Sequence, residues 1–140
     1  MADARPRVGE KGLLGGLILD SYAIVPAPEV YWDDQRREVN AVKPIIKVYP
    51  QNSPAVPKGC GYMFREVRHH LSVDVSAKDD QVAWNAKEEV IRILGASRIA
   101  PFEGYDLLEF DDGTPRPGYG GYYRYVIEVT IIQYRKPVRT

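Results

Sequence analysis

The chain has 140 residues, of which 44% are apolar and 27% are charged, as expected for one folded domain with its own core rather than a disordered chain. Its 19 lysine and arginine residues balance its 19 aspartate and glutamate residues. A zero formal net charge excludes a strong general attraction to nucleic acid or to an anionic membrane, and permits copies of the chain to associate. The single cysteine, Cys60, excludes an intramolecular disulfide and an all-cysteine zinc site.

The first 25 residues predict a polar terminus followed by a weak helix. Residues 1–10 are polar and lack the apolar core of a secretory signal, and residues 1–8 are predicted to be flexible. Apolar residues recur at helical spacing over 9–25, although Gly12, Gly15 and Gly16 weaken this helix. The longest apolar stretch, 13–25, is too short and too interrupted to span a membrane.

The next part of the chain predicts short strands separated by polar segments. Residues 29–32 form a short extended piece after two prolines, and a charged turn over 33–38 follows. The β-branched run 44–49 predicts a strand, which leads into a proline- and glycine-rich loop over 51–61.

Residues 66–77 predict a strand with one dry face, because apolar and polar residues alternate along it. A helix is predicted to begin at Asp79 or Asp80 and to end at Gly95. A strand over 105–110, a loop or arm over 111–121 and a long central strand over 122–136 complete the chain. These elements indicate a single α+β domain over 1–140: a mostly antiparallel sheet of four to five strands, packed by one main helix and a short N-terminal helix.

The polar residues predict no catalytic, cofactor or metal site. His69 and His70 are adjacent on a strand and therefore project to opposite faces, so they cannot readily chelate one ion together. The aspartate pairs lie in turns or at a helix start, where aspartate is favoured for local hydrogen bonds. Cys60 lies between two glycines with no histidine nearby and is interpreted as an incidental thiol.

Tyrosines among glycines in the arm favour a protein contact surface, because a tyrosine ring buries a large area at little cost in side-chain entropy. Tyrosine with arginine could also stack on single-stranded nucleic acid, but the neutral charge disfavours that alternative. The predicted subunit-contact residues are Pro54, Pro57, Arg116, Tyr119, Tyr122, Tyr123 and Arg124.

Two segments carry a resemblance to a known family. The strand 71–80 with the helix segment 87–94, and the closing strand 123–137, resemble the tail-terminator (tail-completion) proteins of long-tailed phages and related archaeal viruses. The resemblance implies a structural virion protein without an active site. It implies a hexameric ring of identical subunits, made in the host cytoplasm, that caps the tail tube and contacts the tail tube protein and the head–tail connector.

Two alternatives remain open at the level of sequence. The chain could be another head–tail connector or tail-tube component of similar build. It could also be a small ligand-binding domain or enzyme that uses the aspartate pairs and Cys60 around a pocket in the helix-covered sheet.

Overall fold

The computed structural model describes residues 6–32, 43–51, 58–60, 64–118 and 120–135. Within these residues the chain forms two helices and seven strands. The helices are α1 (Gly9–Ser21) and α2 (Asp80–Ala96); the strands are β1 (Glu29–Tyr31), β2 (Ile45–Pro50), β3 (Lys58–Cys60), β4 (Phe64–Ala77), β5 (Leu107–Phe110), β6 (Thr114–Arg116) and β7 (Tyr123–Arg135).

The centre of the sheet is the long antiparallel pair β4 and β7, in register from Arg65 opposite Arg135 to Ala77 opposite Tyr123. Strands β2 and β3 pair with the outer side of β4, and β5 and β6 pair with the outer side of β7. Strand β1 extends the sheet beyond β2 as its single parallel pair among the described strands. The predicted α+β fold with a mostly antiparallel sheet is confirmed. The two additional strands, β3 and β6, formed within segments predicted as loops.

Both helices pack on one face of this sheet. The alternation predicted for β4 is confirmed, since Leu71, Val73 and Val75 all face the core and are buried. Helix α1 contributes two fully buried side chains to this core, Leu14 and Ile18, and removal of these apolar surfaces from water stabilises the packing. The buried core residues of α2 are Ala86, Val90, Ile93 and Leu94.

Helix α2 begins as predicted and ends later than predicted. The side chain of Asp79 accepts a hydrogen bond from the Gln81 backbone N–H at 2.9 Å, which caps the first turn. The prediction that Gly95 ends the helix was wrong, because the helix continues to Ala96. Gly95 does not adopt the left-handed conformation of a glycine C-cap.

The glycines of α1 permit close packing, which explains why a helix forms despite their low propensity. A β-carbon at residue 15 would lie 2.4 Å from Cε3 of Trp32. The Trp32 ring is buried against the helix, and its Nε1 donates to the Pro6 carbonyl at 3.0 Å. Helix α1 is shorter than predicted because Tyr22 takes an extended conformation.

Part of the predicted flexible terminus contacts α1. Nη1 and Nη2 of Arg7 donate to the two carboxylate oxygens of Asp20 at 2.6 and 2.9 Å. Flexibility over 1–8 and the single-domain organisation over 1–140 stay predictions.

A buried carboxylate joins α2 to the end of α1. Glu89 is 5% exposed; its Oε2 accepts the Ala23 N–H at 2.6 Å, and its two oxygens accept Nε and Nη2 of Arg92 at 2.5 and 2.9 Å. Arg92 also donates to the Ser21 carbonyl at 3.0 Å. The hydrogen bond from Arg92 and that from Ala23 outweigh burial and lower the pKa of Glu89.

Tyr22 makes the stability of this junction sensitive to alkaline pH. Burial, with a further contribution from the charge of Glu89, raises the pKa of Tyr22 from 10.0 to about 12. The folded state therefore keeps the phenolic proton over an interval in which the unfolded state loses it. We expect stability to be fully present below pH 10 and to fall as pH rises toward 12.

Urea unfolding across this pH interval checks the expectation. The Tyr22→Phe variant should lose less stability than the wild type, and Tyr134→Phe, at an exposed position, serves as the control. Equal losses in the wild type and in Tyr22→Phe would contradict the assignment.

Candidate subunit-contact surfaces

The turn between β6 and β7 gathers most of the predicted contact residues at one end of the sheet. Four of them lie on these strands or immediately before β7: Arg116, Tyr122, Tyr123 and Arg124. Three lie outside the described residues: Pro54, Pro57 and Tyr119.

Within the segment predicted as a loop or arm over 111–121, residues Thr114–Arg116 form β6, which pairs with the start of β7. The role of the segment as an arm stays a prediction. A β-carbon at Gly118 would lie 1.9 Å from the Tyr122 carbonyl oxygen, so a side chain cannot be accommodated at residue 118 without a backbone shift. Gly120 and Gly121 have positive φ values of 62° and 80°, a conformation that glycine adopts without steric cost.

Two arginines lie opposite each other on β6 and β7, and one of them forms an ion pair with an aspartate. Arg116 lies directly opposite Arg124, an arrangement of like charges that is destabilising. Nε of Arg124 donates to Oδ2 of Asp74 at 2.6 Å. Partial burial acts to lower the pKa of Arg124, but the charge and hydrogen bond of Asp74, together with those of Tyr49, outweigh it, and the pKa is raised.

Arg116, by contrast, is exposed and has no hydrogen bond or ion pair to any residue that the structure describes. Its neighbour Pro115 lacks a backbone N–H, and prolines within sheets belong on edge strands. The edge of β6 is therefore better suited to contact a partner protein through the Arg116 side chain than to pair with an additional strand.

An aromatic surface lies beside this turn on the helix-covered side of the sheet. We define the aromatic patch as Trp84, Tyr123 and Tyr125; Trp84 is 44% exposed and Tyr123 is 49% exposed. Trp84 meets Tyr125 edge to face at 5.9 Å between ring centroids. The ammonium of the buried Lys87 lies 3.6 Å from the Trp84 ring centroid. This cation–π contact holds the Trp84 ring in place.

Sequence reasoning missed Trp84 and Lys87. Trp84 lies outside the apolar stripe of α2, while Lys87 is buried beside that stripe. Their i, i+3 spacing places the two side chains next to each other on the helix. A large aromatic residue on the polar side of an amphipathic helix is the signal that could have identified this surface.

A second surface lies at the other end of α2. A groove of about 550 Å³ runs between the last turn of the helix and β5. Ile99 on its rim is 81% exposed, and the exposed Arg98 side chain has no hydrogen bond or ion pair among the described residues. The lining residues, defined here as the groove, are Gly95, Ala96, Arg98, Ile99, Leu107, Leu108 and Glu109.

The other predicted contact segment, the loop 51–61, is described only at residue 51 and over 58–60. Residues Lys58–Cys60 form β3, which pairs with the start of β4, so the prediction of a loop throughout was wrong there. A contact role for this loop stays a prediction.

The histidines take part in internal polar networks. Nδ1 of His69 lies 3.1 Å from a Glu10 carboxylate oxygen, and its Nε2 lies 2.9 Å from Oε1 of Gln133. The same Glu10 oxygen accepts the Tyr105 hydroxyl at 3.2 Å. His69 faces the helices as expected from the strand alternation; His70, expected to be solvated, is half-buried on the opposite face. A cavity of about 430 Å³ borders both histidines and Glu10.

Most of the described aspartates that were predicted to lie in turns or at a helix start make hydrogen bonds within the fold. Besides the Asp79 cap, Oδ1 of Asp111 accepts the backbone N–H groups of Gly113 and Glu128 at 3.0 and 3.1 Å. In the part of the chain that the structure describes, no group of three or more metal-ligating side chains is present. No helix within the same residues is long and apolar enough to cross a membrane.

Comparison with known proteins adds a distant structural likeness. No protein-family model matches the chain, and no curated protein matches it. Among solved structures, the chain is similar to the sheath/tube terminator of the extracellular contractile injection system PVC in its extended state, determined by cryo-electron microscopy. The two are 10% identical with a TM-score of 0.46, and the match covers 88% of this chain and 57% of that chain.

Proposed function

We propose that this chain is a structural subunit that assembles with copies of itself into a closed ring, in the role of a tail terminator. The observation that carries the proposal is the aromatic patch, with two large aromatic rings 44% and 49% exposed; at the same end of the sheet, on the face away from the helices, the exposed Arg116 has no partner among the described residues. Exposed aromatic and arginine side chains are the residue types enriched at protein contacts.

The fold supports this role as a rigid platform. Strands β4 and β7 pair along 13 register positions, and the helices cover one face of that pair. Surfaces attached to such a platform keep a fixed relative position, and a closed ring needs that because a small angular error accumulates from subunit to subunit.

The resemblance of segments 71–80, 87–94 and 123–137 to tail-terminator proteins makes the proposal more specific. In that role the ring would cap the tail tube, and its other side would contact the head–tail connector. The zero net charge is consistent with protein partners and not with a nucleic-acid partner.

Negative-stain electron microscopy of the purified full chain tests the proposal against its nearest alternative. A terminator should give separate rings of one subunit number that do not stack with increasing protein concentration. A tail-tube component should give tubes that lengthen. Tubes, or particles of no larger size than a monomer, would contradict the terminator role.

A further inference from the structure

We propose that the segment Pro6–Val8, defined here as the strap, is a releasable cover on α1 that opens and closes while the helix stays folded. In the closed state, which the structure shows, Arg7 binds Asp20 near the far end of the helix. Opening would uncover one face of α1 and break the hydrogen bond from the Trp32 indole to the strap. The device belongs to a single subunit and does not depend on the proposed ring.

One stripe of α1 forms the seat of the strap. Gly12, Gly16 and Asp20 are spaced four residues apart and therefore lie in one line along the helix. A β-carbon at Gly12 would lie 2.6 Å from the Arg7 backbone carbonyl carbon, and one at Gly16 would lie 2.6 Å from Cδ of Arg7. Arg7 therefore lies lengthwise on the helix, with its backbone over Gly12 and its guanidinium at Asp20.

The residues of this seat are unfavourable in α1 unless the strap is closed. Glycine weakens a helix interior, and an aspartate in the last turn lies at the negative end of the helix dipole. Contact with Arg7 compensates for both, because the two glycines leave room for it and the Asp20 carboxylate accepts two hydrogen bonds from its guanidinium, at 2.6 and 2.9 Å. The composition of the seat therefore suits the strap better than it suits the helix alone.

The chain reverses direction at Gly9, which gives the strap a hinge. Gly9 has a φ of 72°, a conformation that glycine adopts without steric cost. A β-carbon there would meet nothing within 4 Å, so this glycine is required for the backbone conformation and not for close packing. Val8, at the N-cap, makes no side-chain cap hydrogen bond. Opening of the strap at Gly9 therefore removes no side-chain cap from α1.

Ionic conditions can weaken the contact that keeps the strap closed. The side chains of Arg7 and Asp20 are 30% and 60% exposed, so dissolved ions screen their attraction. The apolar side of α1 is held separately, through the fully buried Leu14 and Ile18. Higher ionic strength should therefore increase the open fraction of the strap without unfolding the helix.

Limited digestion with trypsin measures the open fraction, because cleavage after Arg7 requires its guanidinium to leave Asp20. Cleavage after Lys11, inside α1, reports unfolding of the helix itself. Asp20→Asn should speed cleavage after Arg7 about two- to fivefold, the factor that corresponds to an exposed ion pair, and leave cleavage after Lys11 unchanged. Asp112→Asn, at an exposed position with no hydrogen bond or ion pair among the described residues, is the matched control.

Gly12→Ala tests the seat separately from the ion pair. Its new β-carbon would displace the backbone of the strap, while alanine raises the helix propensity of α1. Cleavage after Arg7 should therefore speed up although the helix itself is no less stable. Gly95→Ala, in α2, adds the same methyl group and meets only Phe110, at 3.7 Å, so it should leave cleavage after Arg7 unchanged.

Sodium chloride provides an independent test of the ion pair. In the wild type, cleavage after Arg7 should speed up relative to cleavage after Lys11 as salt is raised to about 1 M, and Asp20→Asn should respond less. An unchanged rate after Arg7 in Asp20→Asn, or equal acceleration after Arg7 and Lys11, would overturn the inference. Both rates can be compared within monomers or within rings, so a failure of ring assembly would not produce either result.

Discussion

Gly15→Ala is expected to destabilise the protein by about 1–3 kcal/mol, as overpacking in a well-packed core does. In a helix interior this substitution ordinarily stabilises, since alanine has the higher helix propensity. Here the added β-carbon would lie 2.4 Å from the Trp32 ring, and the ring cannot retreat without weakening its hydrogen bond to Pro6. Urea unfolding followed by circular dichroism measures the difference.

Gly95→Ala, in α2, is the matched control with the opposite sign. Its new β-carbon meets only an ordinary van der Waals contact, so the propensity gain of roughly 0.5–1 kcal/mol should appear as added stability. If both alanine variants were more stable than the wild type, close packing of Trp32 on α1 would not be the reason for a glycine at residue 15.

Glu89→Gln is expected to destabilise the protein by about 1–3 kcal/mol, the usual cost when a buried hydrogen-bonding group loses its partner. The carboxylate is buried and accepts hydrogen bonds from both the Ala23 backbone and the Arg92 side chain. A glutamine has one carbonyl oxygen and no charge, so it cannot accept all of these bonds. Glu103→Gln, at an exposed position with no hydrogen bond or ion pair among the described residues, controls for the loss of one negative charge.

The same variant should change how stability depends on acidic pH. The pKa of Glu89 is lowered in the folded state relative to its ordinary value of 4.5, so the unfolded state takes up the proton first as pH falls. The contribution of Glu89 is fully present above pH 4.5 and is lost as pH falls through the folded-state pKa. Glu89→Gln should therefore lose less stability than the wild type over this interval; equal losses would show that Glu89 is not a source of acid sensitivity.

Elements stabilised by local patterns could be predicted from the sequence. The alternation along β4 predicted its buried face, and the aspartate before α2 predicted its first turn, because strand pleat and helix capping act over a few residues. The closing strand β7 was also recognised as central from its length and β-branched content.

Features that depend on distant residues could not be predicted in this way. Strand β6 has only three residues and contains Pro115, so it exists through its pairing with β7. The glycines of α1 look unfavourable until Trp32 is packed against them. The groove joins Gly95 at the end of α2 to Leu107 on β5, and no spacing along the chain indicates that these residues meet.

For the predicted contact residues, the sequence indicated which residue types suit a contact surface. It did not indicate which of those residues form ion pairs within the fold. Arg116 and Arg124 have the same residue type and lie in the same segment, yet Asp74 pairs with Arg124 and leaves Arg116 exposed on the edge strand. The distinction arises from the register of β4, β6 and β7, which brings Asp74 next to one arginine and not the other.

Static light scattering of the purified wild-type chain over a wide concentration range measures its self-assembly without a label or a partner. A self-assembling ring subunit should give a mass that rises from that of the 15.8 kDa chain to one fixed multiple and then stays constant, because a closed ring leaves no free surface for further copies. A monomer mass at every concentration, or a mass that grows without limit, would contradict assembly into a closed ring.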